Sequence, residues 1–359
     1  MQIKADGQNY APRGHAAPVC GKDDFHVGVV GLDHGHIFGM SNGLTEAGAV
    51  IDLVYDPDTE KAEAFCKRYP GARTASSLEE ILDNERIKMI ASASVPSERC
   101  DLGIQAMARG KDYFTDKPPL INREQLDRAR QAVKAYNRKY AVYYSERRHV
   151  EAAVYAEKLL KEQAIGRVIN IMGWGPHRAS ISTRPGWFFD KSRYGGILVD
   201  IGCHQIEQIL IYAGARDAVV EKSRVANYGH KETPGFEDFG DMMLTCDNGT
   251  TAYSRLDWFT PDGLGAWGDG RTLIVGTDGY IEIRKYLDVA NDREGDHLYL
   301  VNHEGERHIK AAGLIGFPFF GRLIRDCLDR TDSAFDQDTE FKAIELAIEA
   351  ELAAERIEG

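Results

Sequence analysis

From residue 25 the chain alternates short apolar runs with amphipathic stretches, and this rhythm constrains its fold more than any other feature. Residues 26–31, 50–55, 89–93, 112–115 and 140–144 are dense in the apolar, β-branched and aromatic side chains that suit strands. Between them, residues 37–46, 59–69, 97–109 and 123–136 carry apolar side chains at helical spacing. Strand, helix and strand in succession require parallel pairing through right-handed crossovers. The first ~145 residues therefore predict an α/β unit, a doubly wound parallel sheet.

The rhythm then changes. A helix is expected over 150–163, a strand over 168–173, an irregular stretch rich in Gly, Pro and Trp, and a helix over 196–213. Strand-like runs follow at 219–226, 240–246, 250–257, 272–275, 280–283 and 298–301, separated by turn pairs such as Asp247-Asn248 and Asp278-Gly279. Consecutive strands with short turns predict an open, mostly antiparallel or mixed sheet. Helices over 319–328 and 339–357 close the chain. A length of 359 residues also exceeds what one core organises, so two domains are expected.

Charge narrows the partners. With 44 basic against 56 acidic side chains, the formal charge of -12 repels nucleic acid and anionic membranes. No apolar run is long enough to cross a bilayer. Residues 1–21 carry Lys4, Asp6 and Arg13 and no apolar stretch of the secretory kind. The six cysteines show no paired spacing, which fits a reducing compartment. A cytoplasmic protein acting on a small polar molecule is the expectation.

The segment Val27-Gly28-Val29-Val30-Gly31-Leu32-Asp33-His34-Gly35-His36 ends the first strand and opens the first helix. There a dinucleotide's diphosphate meets free backbone N–H groups and the positive helix end. Asp33 and His36 stand where the second and third fingerprint glycines would be, and a carboxylate near phosphate is electrostatically awkward. Asp56 follows the second strand about 20 residues on, where an acid bonds the adenosine ribose hydroxyls and repels a 2′-phosphate. Gly31, Asp33, His34, Gly35, His36 and Asp56 are thus expected at the cofactor, with NAD favoured over NADP.

Three further segments carry a family resemblance. Tyr113-Phe114-Thr115-Asp116-Lys117-Pro118 is similar to the strand-end Glu-Lys-Pro motif of the Gfo/Idh/MocA oxidoreductases, with Asp for Glu. Gly195-Gly196-Ile197-Leu198-Val199-Asp200-Ile201-Gly202-Cys203-His204 resembles that family's Gly-Gly-x-Leu-x-Asp-x-Gly-x-His segment. Arg147 and Ala164-Ile165-Gly166 also resemble the family pattern. The Pro-x-x-x-His pattern departs, reading Pro96-Ser97-Glu98-Arg99-Cys100 here. The resemblance runs from residue 25 to the C-terminus. It implies an extension over 1–25, a Rossmann dinucleotide-binding domain over 26–145, and an α/β substrate-binding and oligomerisation domain over 146–359. It also implies NAD or NADP as cofactor, contacts from Pro96 and Lys117, and a homo-oligomer, dimer or tetramer.

Oxidising a secondary alcohol needs a base, a cation for the developing alkoxide and a hydride acceptor. By family likeness His204 exchanges the proton, Lys117 holds the substrate oxygen, and Asp200 orients substrate or imidazole. Asp200 and His204 stand four apart on one expected helix and so share a face. Tyr144, Arg147, His177, Arg178 and Trp187 offer donors and an aromatic face for a sugar, polyol or sugar-derived substrate. Two other readings stand beside this one. A metal-dependent isomerase or hydrolase would gather His34, His36, His177, Asp200 and His204 around an ion, although no metal is expected. A non-catalytic dinucleotide or sugar sensor would use the same fold, since fold does not fix function.

Overall fold

The computed structural model describes residues 13–358. Its first compact unit comprises His15–Tyr143 and Phe317–Phe341. In it, β1 (His26–Val30), α1 (His36–Glu46), β2 (Val50–Tyr55), α2 (Thr59–Arg68), β3 (Arg73–Thr74), α3 (Leu78–Leu82), β4 (Ile87–Ser92), α4 (Pro96–Ala108), β5 (Asp112–Asp116), α5 (Arg123–Tyr136) and β6 (Tyr140–Tyr143) follow in order. All neighbouring strands pair in parallel, in the order β3-β2-β1-β4-β5-β6. Helices cover both faces, so β1, β5 and β6 are buried along their whole length and read as unbroken strand-forming runs. The order reverses between β1 and β4, which opens a crevice at their C-terminal ends, the usual seat of a ligand in such sheets.

The second unit contains Tyr144–Gly316 and the chain from Lys342. It holds α6 (Ser145–Arg148), α7 (Glu151–Lys161), β7 (Val168–Pro176), α8 (Lys191–Tyr194), α9 (Ile197–Asp200), α10 (Gly202–Ala213), β8 (Ala218–Ala226), β9 (Phe239–Cys246), β10 (Thr251–Asp257), β11 (Arg271–Gly276), β12 (Gly279–Arg284), β13 (His297–Asn302) and β14 (Gly305–Lys310). After α11 (Pro318–Asp329) and α12 (Gln337–Ala353), β15 (Glu355–Ile357) completes a nine-stranded sheet. Its order is β14-β13-β12-β11-β7-β10-β9-β8-β15, antiparallel except for β7 with β10 and β8 with β15. Alternate residues of β7, such as Ile171 and Gly173, face α10, while Met172 and Trp174 are exposed on the other side. The sheet is open on that face.

Three expectations are corrected. A contiguous second domain over 146–359 is interrupted, because α11 presents Phe319, Phe320, Leu323 and Ile324 to the core formed by β1, α1 and β2. The extension expected over 1–25 lies partly outside the described residues, and Ala16 and Phe25 belong to that same core. The final helix ends at Ala353 rather than 357, and the residues beyond it pair with β8. β14 escaped the pattern because Gly-Glu-Arg-His-Ile-Lys is polar on both faces, as suits an edge strand.

Candidate active site

At the end of β1, Gly31 turns the chain with φ 75°. A Cβ there would stand 2.6 Å from the Ser94 Cβ and 3.0 Å from its Cα, so only glycine allows both the turn and the approach. The Gly31 N–H donates to the Tyr55 carbonyl and the His34 N–H to the Ala93 carbonyl, each at 3.0 Å. The Leu32 N–H donates to Asp56 Oδ2 at 2.7 Å, while the N–H groups of Asp33 and Gly35 make no hydrogen bond among the described residues. Two unbonded N–H groups at the start of an 11-residue helix fit a diphosphate. The awkward carboxylate is neutralised: Lys61 Nζ lies 2.8 Å from Asp33 Oδ1. Asp56 is only 4% exposed, and its other oxygen accepts from the Asp58 N–H at 2.9 Å, so it braces this loop.

The departures from the family pattern meet around Asp116. This fully buried carboxylate receives His36 Nδ1 at 2.8 Å, His34 Nδ1 at 3.0 Å, Arg99 Nη2 at 3.2 Å and the Lys117 N–H at 2.7 Å. Burial alone would push the Asp116 carboxyl up, but His36, Arg99 and His34 hold it well below its usual range. Burial and then His36 press His34 down to about 4, so it is neutral at physiological pH and Arg99 is the standing cation. Arg99 also donates to the Ser94 and Pro118 carbonyls at 2.7 and 2.9 Å. It ties the β4 and β5 ends together from the position just before Cys100, which stands where the family pattern has histidine, with Pro96 buried in the first turn of α4. His34, His36 and Asp116 have ligand-like spacing, but a permanent guanidinium on the shared carboxylate opposes a second cation there. His177, Asp200 and His204 belong to the other unit. Lys117 follows β5 and is 5% exposed.

In the second unit, Asp200 and His204 do not lie on one continuous helix as expected. The helix breaks at Ile201, where the His204 N–H bonds the Ile201 carbonyl at 3.1 Å, a tightened turn between α9 and α10. Both remain buried, His204 with the Tyr144 ring edge-on at 5.9 Å. Tyr144 is itself fully buried and packs behind the imidazole. Arg147 is ion-paired within this unit. Its guanidinium grips Glu207, with Nε at 2.9 Å from Oε1, and Glu157 at 2.8 Å, joining α6, α7 and α10. Arg178 likewise fastens the Pro261 and Leu264 carbonyls, at 2.9 and 2.8 Å. His177 packs against Trp267 and Trp258, with ring centroids at 4.3 and 5.2 Å. Trp187 carries a buried indole N–H with no partner among the described residues, while Phe188 beside it anchors the loop on Trp258 and Phe236.

The Gly195-Gly196 pair has a physical cause that sequence reasoning missed. Glu237 and Glu351 cap α9 by accepting the Ile197 and Leu198 N–H groups, each at 3.0 Å, and Lys191 bridges the two carboxylates. Gly196 has φ 99°, and a Cβ on it would meet the Glu351 carboxyl at 2.3 Å. The caps thus hold the turn that presents Asp200. Burial, then Glu237, pushes the Glu351 carboxyl from 4.5 up to about 7. The folded state therefore binds the extra proton between those values, and stability rises as pH falls from about 7 toward 4.5. Glu351→Gln is expected to flatten that slope in denaturant titrations across this window. An unchanged slope would remove Glu351 as its source.

Comparison with known proteins follows the same division. The model of the oxidoreductase family with an NAD-binding Rossmann fold matches residues 25–144, and that of the Gfo/Idh/MocA C-terminal domain matches residues 154–282. A crystal structure of a protein from Erwinia carotovora atroseptica SCRI1043 is 46% identical, covers 93% of this chain and all of that one, and superposes with a TM-score of 0.91. The scyllo-inositol 2-dehydrogenase (NAD(+)) of Bacillus subtilis is 25% identical over 71% of this chain and 72% of its own. The levoglucosan dehydrogenase of Pseudarthrobacter phenanthrenivorans is 27% identical over 53% of this chain and 52% of its own.

Proposed function

The chain belongs to the Gfo/Idh/MocA family of NAD(P)-dependent oxidoreductases, and from that premise we propose that it oxidises a secondary alcohol of a sugar or polyol using NAD. The observation that carries this reading is the β1–α1 loop, where Gly31 permits close approach and two N–H groups stand unbonded. Similar proteins named for inositol and levoglucosan support the substrate class. When bound, the nicotinamide supplies the hydride acceptor. Lys117 steadies the substrate oxygen as charge develops on it, and His204 takes the hydroxyl proton. Asp200, held by the capped turn, orients substrate or imidazole. Tyr144 positions His204, and the His177 and Trp187 region offers polar groups on aromatic walls.

Asp33, Asp56 and Asp58 surround one ammonium, that of Lys61, so a 2′-phosphate brought here meets net negative charge. NAD is expected to bind on the order of tenfold or more tightly than NADP. Fluorescence titration of the purified protein with each nicotinamide tests both the cofactor and its choice. Binding of neither would overturn the reading, and tighter NADP binding would overturn the choice.

The open sheet face supports a homo-oligomer. Met243, Tyr253, Met172 and Leu273 stand in one cross-strand row, and Arg255, Trp174 and Arg271 in the next. Trp174 is 42% exposed between two guanidiniums, a mixed apolar and charged patch suited to a second copy. Light scattering at micromolar protein is expected to give a multiple of 40.0 kDa, reduced to that mass by Trp174→Glu. A monomeric wild type would contradict this.

A further inference from the structure

Asp200 owes its place to a helix too short to hold itself. α9 has four residues, and its bonds include those of the Asp200 N–H to the Gly196 carbonyl at 2.8 Å and of the Ile201 N–H to the Ile197 carbonyl at 2.9 Å. A single turn fixes several dihedrals for few hydrogen bonds and does not persist unaided. The chain enters it through Gly195 and Gly196, at φ 94° and 99°, so no helix precedes it to lend support. Two carboxylates distant in sequence hold the turn through the Ile197 and Leu198 N–H groups: Glu237, at 0% exposure, and Glu351, at 9%. Glu351 is itself fixed from both sides. The Ser223 hydroxyl donates to the Ala350 carbonyl at 2.7 Å, and beyond Glu351 the chain pairs with β8 as β15.

We infer that Glu351 and Glu237 are positioning residues for the reaction, and that one proton shared by their two carboxyls decides how firmly the α9 turn presents Asp200. Lys191 Nζ lies 2.6 Å from Glu237 Oε1 and 2.5 Å from Glu351 Oε1, so one ammonium serves two buried acids. The charge on the three groups is minus one when both acids are ionised and zero when one holds a proton. That proton comes from water and returns to it. A protonated carboxyl still has lone pairs for a backbone N–H, so uptake removes a buried surplus charge without breaking either cap. Release leaves two buried anions around one cation and loosens the pair.

The surroundings fit one shared proton. Burial first, and then Glu237, raises the Glu351 carboxyl to about 7, with Lys191 opposing both. From α8, Lys191 and Tyr194 face the pair, and the Tyr194 hydroxyl oxygen accepts the Glu237 N–H at 3.2 Å. Burial, then Glu237, with further effects of Glu351 and Asp200, pushes that phenol far above its usual range, so it stays neutral. From β15, Arg356 comes within 3.6 Å of Glu237 Oε1, but it is half exposed and screened by water. From α9, Asp200 adds a further anion on the same side. The balance around Glu351 is therefore short of positive charge once both acids are ionised.

This inference rests on the proposed reading only for the role of Asp200 in catalysis, and the turn itself is followed without substrate. Hydrogen exchange is read by mass spectrometry on the peptide spanning 195–204, corrected for the intrinsic pH dependence of exchange. Protection is expected to fall about tenfold between about pH 6 and about pH 8.5, as the proton leaves. Glu351→Gln keeps an acceptor for the Leu198 N–H and a donor toward Glu237, so its protection should not change over that range. Because Glu351→Ala removes a buried cap outright, Lys191→Met is measured as well. Without the ammonium the acids hold their proton more tightly, and the step should move to higher pH. In turnover, Glu351→Ala should lower kcat on the order of tenfold to a hundredfold with nicotinamide affinity unchanged, and Glu351→Gln should restore it and lose the alkaline limb. A step that persists in Glu351→Gln or stays in place in Lys191→Met would overturn the inference, as would normal kcat in folded Glu351→Ala. The expected step in a protein without any dehydrogenase activity would keep the pair as holder of the turn and reject the functional reading instead.

Discussion

Lys117→Ala is expected to lower turnover by on the order of 10²-fold or more while cofactor affinity survives. The ammonium sits on the β5 end, in the segment Asp116-Lys117-Pro118, and is 5% exposed. An oriented charge in so dry a position is worth far more than one in water, because no solvent rearranges to replace it. His204→Ala should lose turnover as well, and its residual rate should climb with pH as hydroxide replaces the missing base. Residues that act as one relay fail together, so the double variant should be little worse than the more damaging single one. Stopped-flow measurement of nicotinamide reduction with each variant decides this. Multiplicative losses would assign independent roles, and near-normal turnover by Lys117→Ala would remove it from the chemistry.

Asp116→Ala is expected to destabilise the Rossmann domain by about 3–5 kcal/mol, the usual cost of orphaning one member of a buried pair. Arg99 is 1% exposed at its side chain, and Asp116 is its carboxylate partner. The loss should be read as a lower first transition in denaturant, since a two-domain chain need not unfold in one step. Asp116→Asn retains the shape and removes the charge, so it isolates the electrostatic share. The sign of its pH dependence follows from the depressed carboxyl: the stabilisation is complete above the ordinary value of 3.8 and is lost as pH falls through the lower folded value. The gap between wild type and Asp116→Asn should therefore narrow in acid. A gap that widened in acid, or Asp116→Ala at wild-type stability, would contradict the cluster as described.

The sequence made the Rossmann sheet legible because its strands are apolar throughout and its helices are amphipathic, so period alone separates them. Val50–Tyr55 and Arg123–Tyr136 coincide with their expected bounds. What was not legible depends on contacts distant in sequence. Nothing local in Asp33 shows that Lys61 will neutralise it, nor in Arg99 that it will meet Asp116 across 17 residues. The same holds for Glu237 and Glu351, which explain Gly196 only once the fold brings them to the start of α9. The partners of Arg147 were not legible either, because a motif position says where a side chain starts, and here Glu207 and Glu157 decide where it ends. Lys191 gave no signal, being an ordinary charge in a chain with 100 of them.

The proposed reaction is hydride transfer from a sugar or polyol to a nicotinamide, served by Lys117 and His204. The most direct test is NADH formation by the purified protein over a panel of inositols, hexoses, anhydrosugars and sugar acids, run in parallel with Lys117→Ala and His204→Ala. Saturable NADH formation is expected with at least one polyhydroxylated substrate, reduced on the order of 10²-fold in both variants. Failure of every panel member despite tight nicotinamide binding, or turnover that persists in both variants, would contradict it.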